Sequence, residues 1–188
     1  MPSGTSKIPT PIAPGVLKLE KKGKPYTKKE AETLVLLAKL FHLFFPDNSP
    51  EVYDAKSDNG KDWYFIVQDI PHDKAHSFIM KEKKWDADHE REITLAKKIE
   101  RDTAGLVSEM KGLGFPYDYG YQDFILNQRT GKYVYVDFAS LLDDSGERPV
   151  IFWDEVISKI QSKVETLSEL DKLKATIYLG ELRMVIES

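Results

Sequence analysis

The chain has 188 residues, 41% of them hydrophobic, with 27 basic and 31 acidic side chains and a formal net charge of −4. That length and apolar content suffice for a real core, in one domain or in two small lobes sharing a cleft, while the charge balance argues against a nucleic-acid binder, for which a basic stripe is expected. With no cysteine, disulfides and thiolate metal sites are excluded.

No apolar run approaches the ~20 residues of a membrane span, and the start from Met1 to Lys7 lacks the hydrophobic stretch of a signal peptide. The expectation is a soluble, cytoplasmic protein that contacts neither membrane nor nucleic acid. Residues 1–15 hold four prolines and two glycines and read as a flexible arm. Val16 to Glu20 reads as a short strand, and Lys21-Lys22-Gly23-Lys24-Pro25 as a basic turn.

Thr27-Lys28-Lys29-Glu30 is a helix start, with a hydroxyl cap and an acid at the third helical position. The helix runs to about Phe45 and stops before Pro46. Its apolar residues, from Ala31 and Leu34 through Phe41 to Phe45, occupy nearly every side. Such a helix is buried between two layers or packs on a partner. His42 lies within it as a hydrogen-bonded core or interface residue.

Glu51 to Ala55 and Trp63 to Val67 read as strands joined by the Ser57-Asp58-Asn59-Gly60 turn. Residues 72–84 suggest a helical turn. His72 and His76 have i,i+4 spacing, but Asp73 stands where the zinc motif needs Glu, so a surface pair is expected. A long helix is expected over 87–111, with Ile93, Ala96, Ile99, Thr103, Leu106, Val107 and Met110 at helical spacing and Gly112-Leu113-Gly114 as its stop. Further on, Phe152 to Leu167 and Ser168 to Ile186 read as two amphipathic helices.

Between these helices lies the segment with the most chemistry. Phe124-Ile125-Leu126, a turn over 127–132, and Tyr133-Val134-Tyr135-Val136 read as a hairpin. Asp123 precedes the first strand and Asp137 follows the second, which brings both acids toward one end. Asp118 lies five residues before Asp123. Convergent carboxylates can hold a divalent metal, most simply Mg²⁺ with a bound phosphate. Alternatively, Asp118 and Asp137 are turn residues and Asp123 caps the following strand through its backbone. Tyr117, Tyr119 and Tyr121 either pave a binding surface or pack in the core.

The stretch from Pro116 to Ala139 resembles the catalytic core of the protein-kinase-like superfamily, in which an Asp is followed by an Asn, a strand, a turn, a strand and Asp-Phe-Gly. Asp118 stands at the catalytic Asp, Asp123 at the metal-binding Asn, and Asp137-Phe138-Ala139 at Asp-Phe-Gly. The pattern departs from the family at Pro116-Tyr117, at Asp123 and at Ala139. More loosely, the order of elements over residues 16–140 fits as well. The resemblance implies an α+β, reduced protein-kinase-like fold, with a small N-lobe-like region over 16–70 and a mostly helical C-lobe-like region over 71–188. It implies Asp118 as catalytic base, Asp123 and Asp137 as Mg²⁺ ligands, and Lys18 as the ATP phosphate contact, with Glu32 or Glu30 as the partner of Lys18.

The segment before Lys18 lacks a G-x-G-x-x-G pattern, so a phosphate-covering lid is not expected. Three functions follow: a compact Mg²⁺- and ATP-dependent phosphotransferase acting on a protein or small-molecule acceptor, a non-catalytic pseudokinase-like binding module, or a helix-rich interaction protein. In the third, the all-round apolar helix would form a homo-oligomer or partner surface.

Overall fold

A computed structural model describes residues 7–21, 25–72, 87–117, 119–138 and 151–188. These form a mixed α+β structure with four α-helices and two antiparallel sheets. The larger sheet contains β1 (Lys7–Ala13), β2 (Val16–Lys21), β3 (Val52–Ser57) and β4 (Trp63–Gln68), in the order β1-β2-β4-β3. Within the segment expected to be a flexible arm, residues 7–13 instead pair with β2, while residues 1–6 lie outside the described residues. Pro9 and Pro11 are compatible with that pairing because β1 is an edge strand, whose outer side needs no backbone donor. Gly15 closes the tight β1–β2 turn at a φ of 74°, a conformation that glycine adopts without strain.

Helix α1 (Lys28–Phe44) begins where the sequence predicts it. The Thr27 side chain accepts from the Glu30 N–H, and Glu30 accepts from the Thr27 N–H in return at 2.7 Å. α1 is enclosed by β3 and β4 on one side and by the last helix on the other. Its all-round apolarity is thus a consequence of burial between two layers: Leu34, Leu37, Leu40 and Phe41 are each at most 1% exposed.

Helix α2 (Ala87–Gly112) packs on the turn that precedes the hairpin. Its Ile99, Thr103 and Met110 are buried, and Gly114, at a φ of 81°, ends the turn after it. Helices α3 (Trp153–Lys163) and α4 (Glu169–Glu187) follow the hairpin region. α3 turns Val156, Ile157 and Ile160 inward, and α4 turns Ala175, Leu179 and Leu182 inward. Among the described residues no helix is long and apolar enough to cross a membrane.

The small sheet is the hairpin of β5 (Phe124–Leu126) and β6 (Tyr133–Tyr135), in the register Phe124 opposite Tyr135. Two segments tie it to the larger sheet's connections. Tyr135 donates its N–H to the Asn48 carbonyl, and the Asn48 amide donates to the Tyr133 carbonyl, both at 2.8 Å. Gln128 donates its N–H to the Pro71 carbonyl, also at 2.8 Å. The loop after α1 and the segment after β4 therefore fix the hairpin under the α1 face of the sheet.

Candidate functional site

The hairpin brings Asp123 and Asp137 to one end, as its pattern predicts. Val136 donates its N–H to the Asp123 carbonyl oxygen at 2.8 Å, which continues the ladder one step past β6. The two acids thus leave adjacent strands at the same edge of the structure. Asp118 lies outside the described residues.

Asp123 ends a 3₁₀ turn over Tyr121–Asp123 and is 5% exposed. One of its carboxylate oxygens accepts from the Gly120 N–H at 2.7 Å. That bond ties the acid to the backbone of its own turn, as a side-chain cap does.

Asp137 is half-buried among phenols. The Tyr135 hydroxyl donates to the Asp137 carbonyl oxygen at 2.7 Å. The Asp137 charge is among the influences that raise the pKa of the Tyr26 and Tyr117 hydroxyls. Burial first, then the Asp137 and Glu30 charges, raise the Tyr26 pKa. Burial raises that of Tyr117 most, followed by Tyr119 and Asp137. Tyr119 is raised by burial alone. The hydroxyls of Tyr117 and Tyr119 are buried with no hydrogen-bond partner among the described residues. Leaving such donors unmet costs about 1–3 kcal/mol each.

Around these groups is an aromatic cluster centred on Phe41. Its ring meets Phe115, Tyr117, Tyr135 and Phe138 at 5.1, 5.5, 5.7 and 5.6 Å. Tyr117 and Phe138 also touch edge to face at 5.5 Å. The tyrosines of this segment therefore pack with the core, which is the bland alternative left open by the sequence.

Lys18 and Glu32 are not partners. In β2, Leu17 and Leu19 face the core under α1 and lie opposite Val67 and Phe65. Alternation turns Lys18 to the other face of the sheet. There its Nζ lies 3.2 Å from Asp58 Oδ2 and 3.9 Å from the centre of the Tyr64 ring. The Tyr64 hydroxyl donates to Asp58 Oδ1 at 2.7 Å. The Tyr64 bond first, and the Lys18 bond second, hold the Asp58 carboxyl below its ordinary range. Glu32 instead faces Lys28 one turn away on α1, at 3.7 Å. Glu30 is engaged in the cap and lies near Tyr26.

Between sheet, α1 and hairpin the described residues enclose a cavity of about 20 Å³, lined by Leu19, Leu34, Phe65, Val67, Val136 and Phe138 among others. A ligand site for a molecule of nucleotide size needs roughly 300 Å³ or more. The residues lining this space are apolar and do not fit ATP; a larger, open groove of about 370 Å³ lies elsewhere, lined by Glu32, Lys39, Asp54, Glu181 and Met184 among others. Either acid offers the hard oxygen that Mg²⁺ takes, but Val136 rather than Asp137 stands opposite Asp123 in the hairpin ladder. Among the described residues, no three acids or histidines gather to hold a metal.

His42 places Nδ1 3.0 Å from Ser49 Oγ, which explains a polar residue on this helix. His72 has Nδ1 2.7 Å from the Ile70 carbonyl oxygen, while His76 lies outside the described residues. Sequence reasoning missed Tyr26, whose ring lies tilted 4.8 Å from that of Phe65 and which is 3% exposed. Its signal was present: an apolar residue directly before a capping box commonly packs back on the helix. Asp58 was read only as a turn residue.

No protein family, curated protein or solved structure was found to match this chain.

Proposed function

We propose that this chain is a divergent, protein-kinase-like binding module that does not transfer phosphate. Its ancestry is supported by the order of elements: sheet and α1, long α2, then a hairpin flanked by Asp123 and Asp137. The packing of Phe138 beneath α1 adds to this, since the Phe of the Asp-Phe-Gly segment is a packing element in that superfamily.

Lys18 carries the non-catalytic conclusion. Phosphoryl transfer needs a cation and a metal-bound Asp converging on the same phosphates. Lys18 lies on the sheet face away from α1, bound to Asp58, whereas Asp137 directly precedes Phe138, whose ring packs against Phe41 of α1 on the other face. The thickness of the sheet separates them. A thermal-shift titration tests the proposal. With Mg²⁺-ATP, Mg²⁺-GTP or Mg²⁺ alone the melting temperature should stay constant. A nucleotide bound at 100 times its Kd would add about 2.7 kcal/mol, or roughly 5–10 °C.

A second reading, a Mg²⁺- and ATP-dependent phosphotransferase with Asp118 as base, is favoured by the shared exit of Asp123 and Asp137 from the hairpin. A nucleotide-dependent shift that Asp137→Ala abolishes, accompanied by phosphate transfer, would establish it in place of the first.

A further inference from the structure

Helix α4 buries one face and leaves a second apolar stripe in solvent. Leu170, Leu173, Ile177 and Met184 are 64, 60, 49 and 65% exposed. Their spacing is three, four and seven residues, and Gly180 occupies the missing position between Ile177 and Met184. This is the alternating three-four repeat of a helix-pairing seam. It is distinct from the inward face of Ala175, Leu179 and Leu182, so the intramolecular core does not account for it.

We infer that α4 is a self-association surface, on which a second copy of this chain pairs antiparallel through the same helix. Two complementarities select that occupant and that direction. In an antiparallel pair the seam layers place Ile177 against Gly180 of the other copy, and Leu173 against Met184. A β-branched side chain then fills the space that glycine leaves. A Cβ at Gly180 meets nothing within 4 Å in the monomer, so the space is open for it. A parallel pair would instead set glycine against glycine and leave a gap.

The flanking charges agree. Along one edge of the seam lie Lys174 and Glu181, seven residues apart. Antiparallel pairing juxtaposes Lys174 of each copy with Glu181 of the other, twice by symmetry. Glu181 borders a groove with Glu32 and Asp54, where Lys39 is the one lysine of the lining. An incoming lysine meets net negative charge there. Lys174 contacts Asp171 at 3.1 Å within its own helix, a contact that it would share with the partner glutamate.

The 19 residues of α4 make a rod of about 28 Å. Such a contact falls at the small end of specific interfaces, around 1,200 Å² or less, so the dimer dissociates on dilution. Sedimentation equilibrium of the full chain, from about 1 μM to 1 mM, should show the mass rising from 21.5 kDa toward twice that value. Ile177→Asp and Gly180→Leu should both remain monomeric with unchanged circular dichroism, since both positions are open in the monomer. Lys174→Glu or Glu181→Lys alone should weaken the dimer by about 3- to 10-fold, and the double exchange should restore it. A parallel pair predicts no such rescue. A monomer at every concentration overturns the proposal, leaving the stripe to a different protein. A dimer indifferent to Ile177→Asp and Gly180→Leu, or one that the double exchange fails to restore, overturns it equally. None of these readouts involves nucleotide, so failure here is separate from failure of the kinase-like reading.

Discussion

The rings of Phe41 and Phe138 meet edge to face at 5.6 Å and join the last turn of α1 to the residue that follows Asp137. Phe41 is fully buried, and its neighbours come from α1, the segment after α2 and the hairpin. Truncation there leaves a cavity lined by rigid rings that cannot collapse into it. Phe41→Ala should therefore cost about 3–5 kcal/mol. That is a large share of the roughly 5–15 kcal/mol typical of a folded domain. Urea denaturation would measure it, and Phe41→Leu should lose clearly less. A double-mutant cycle with Phe138→Leu should give a coupling of about 0.5–1.5 kcal/mol, the contribution of an aromatic pair beyond its buried area.

The Lys18–Asp58–Tyr64 group makes a prediction about acid. Asp58 has its folded pKa held below the ordinary carboxylate value of 3.8, by Tyr64 first and Lys18 second. A depressed carboxylate contributes stability above its unfolded pKa and loses it as pH falls through the folded value. The stability difference between the parent and Asp58→Asn should thus be constant near neutrality and shrink below about pH 4. Asp58 is solvent-exposed, so the difference should also fall with salt. Lys18→Met should move the Asp58 titration upward by NMR. Under the proposed function it should also leave the melting temperature in Mg²⁺-ATP where it was.

Alkali tests the opposite side of the structure. Tyr26, Tyr117 and Tyr119 all have phenol pKa values raised above 10.0, chiefly by burial. A raised phenol contributes stability that is complete below its ordinary pKa and is lost as pH climbs above it. These three should not ionise in the native protein as exposed tyrosines do. Their tyrosinate absorbance should appear at higher pH than that of exposed tyrosines. Asp137→Asn removes a negative charge that opposes ionisation of Tyr26 and Tyr117. It should lower the pH at which they titrate and leave Tyr119 unmoved, since burial alone raises Tyr119. Equal movement of all three would show that Asp137 does not face these hydroxyls as described.

Much of this architecture was legible because its signals are local. Thr27, Glu30 and Pro46 mark both ends of α1 within a few residues of the ends themselves. The aspartates beside β5 and β6 could be placed together because a hairpin fixes its own register. β1 was not legible, because Pro9 and Pro11 signal a loop unless the strand is known to lie at a sheet edge, which is a tertiary fact. Alternation along β2 set Lys18 apart from Leu17 and Leu19, yet nothing local says which face α1 covers. Lys18 was therefore paired with Glu32 when it belongs with Asp58. Tyr26 comes under the Asp137 charge only through the folding of distant segments, and no spacing rule reaches that far.

Asp123 separates a structural carboxylate from a metal ligand. Its oxygen satisfies the Gly120 N–H at 2.7 Å inside a turn that is otherwise without a side-chain cap. Asp123→Ala leaves that donor unmet and should cost about 1–2 kcal/mol. Asp123→Asn retains an acceptor oxygen of the same reach and should hold stability within about 0.5 kcal/mol, as a conserved cap does. Magnesium then distinguishes the two roles. If Asp123 only caps its turn, the melting temperatures of parent, Asp123→Asn and Asp137→Asn respond identically to Mg²⁺. If Asp123 and Asp137 share an ion, Mg²⁺ stabilises the parent and each substitution removes that gain, because a hard divalent cation loses most of its attraction when an anionic oxygen becomes a neutral amide. Differential scanning calorimetry of the three proteins with and without Mg²⁺ measures both effects on one scale. The Asp123→Ala deficit should persist in either ionic condition, because the Gly120 N–H remains without its acceptor whether or not a cation is present.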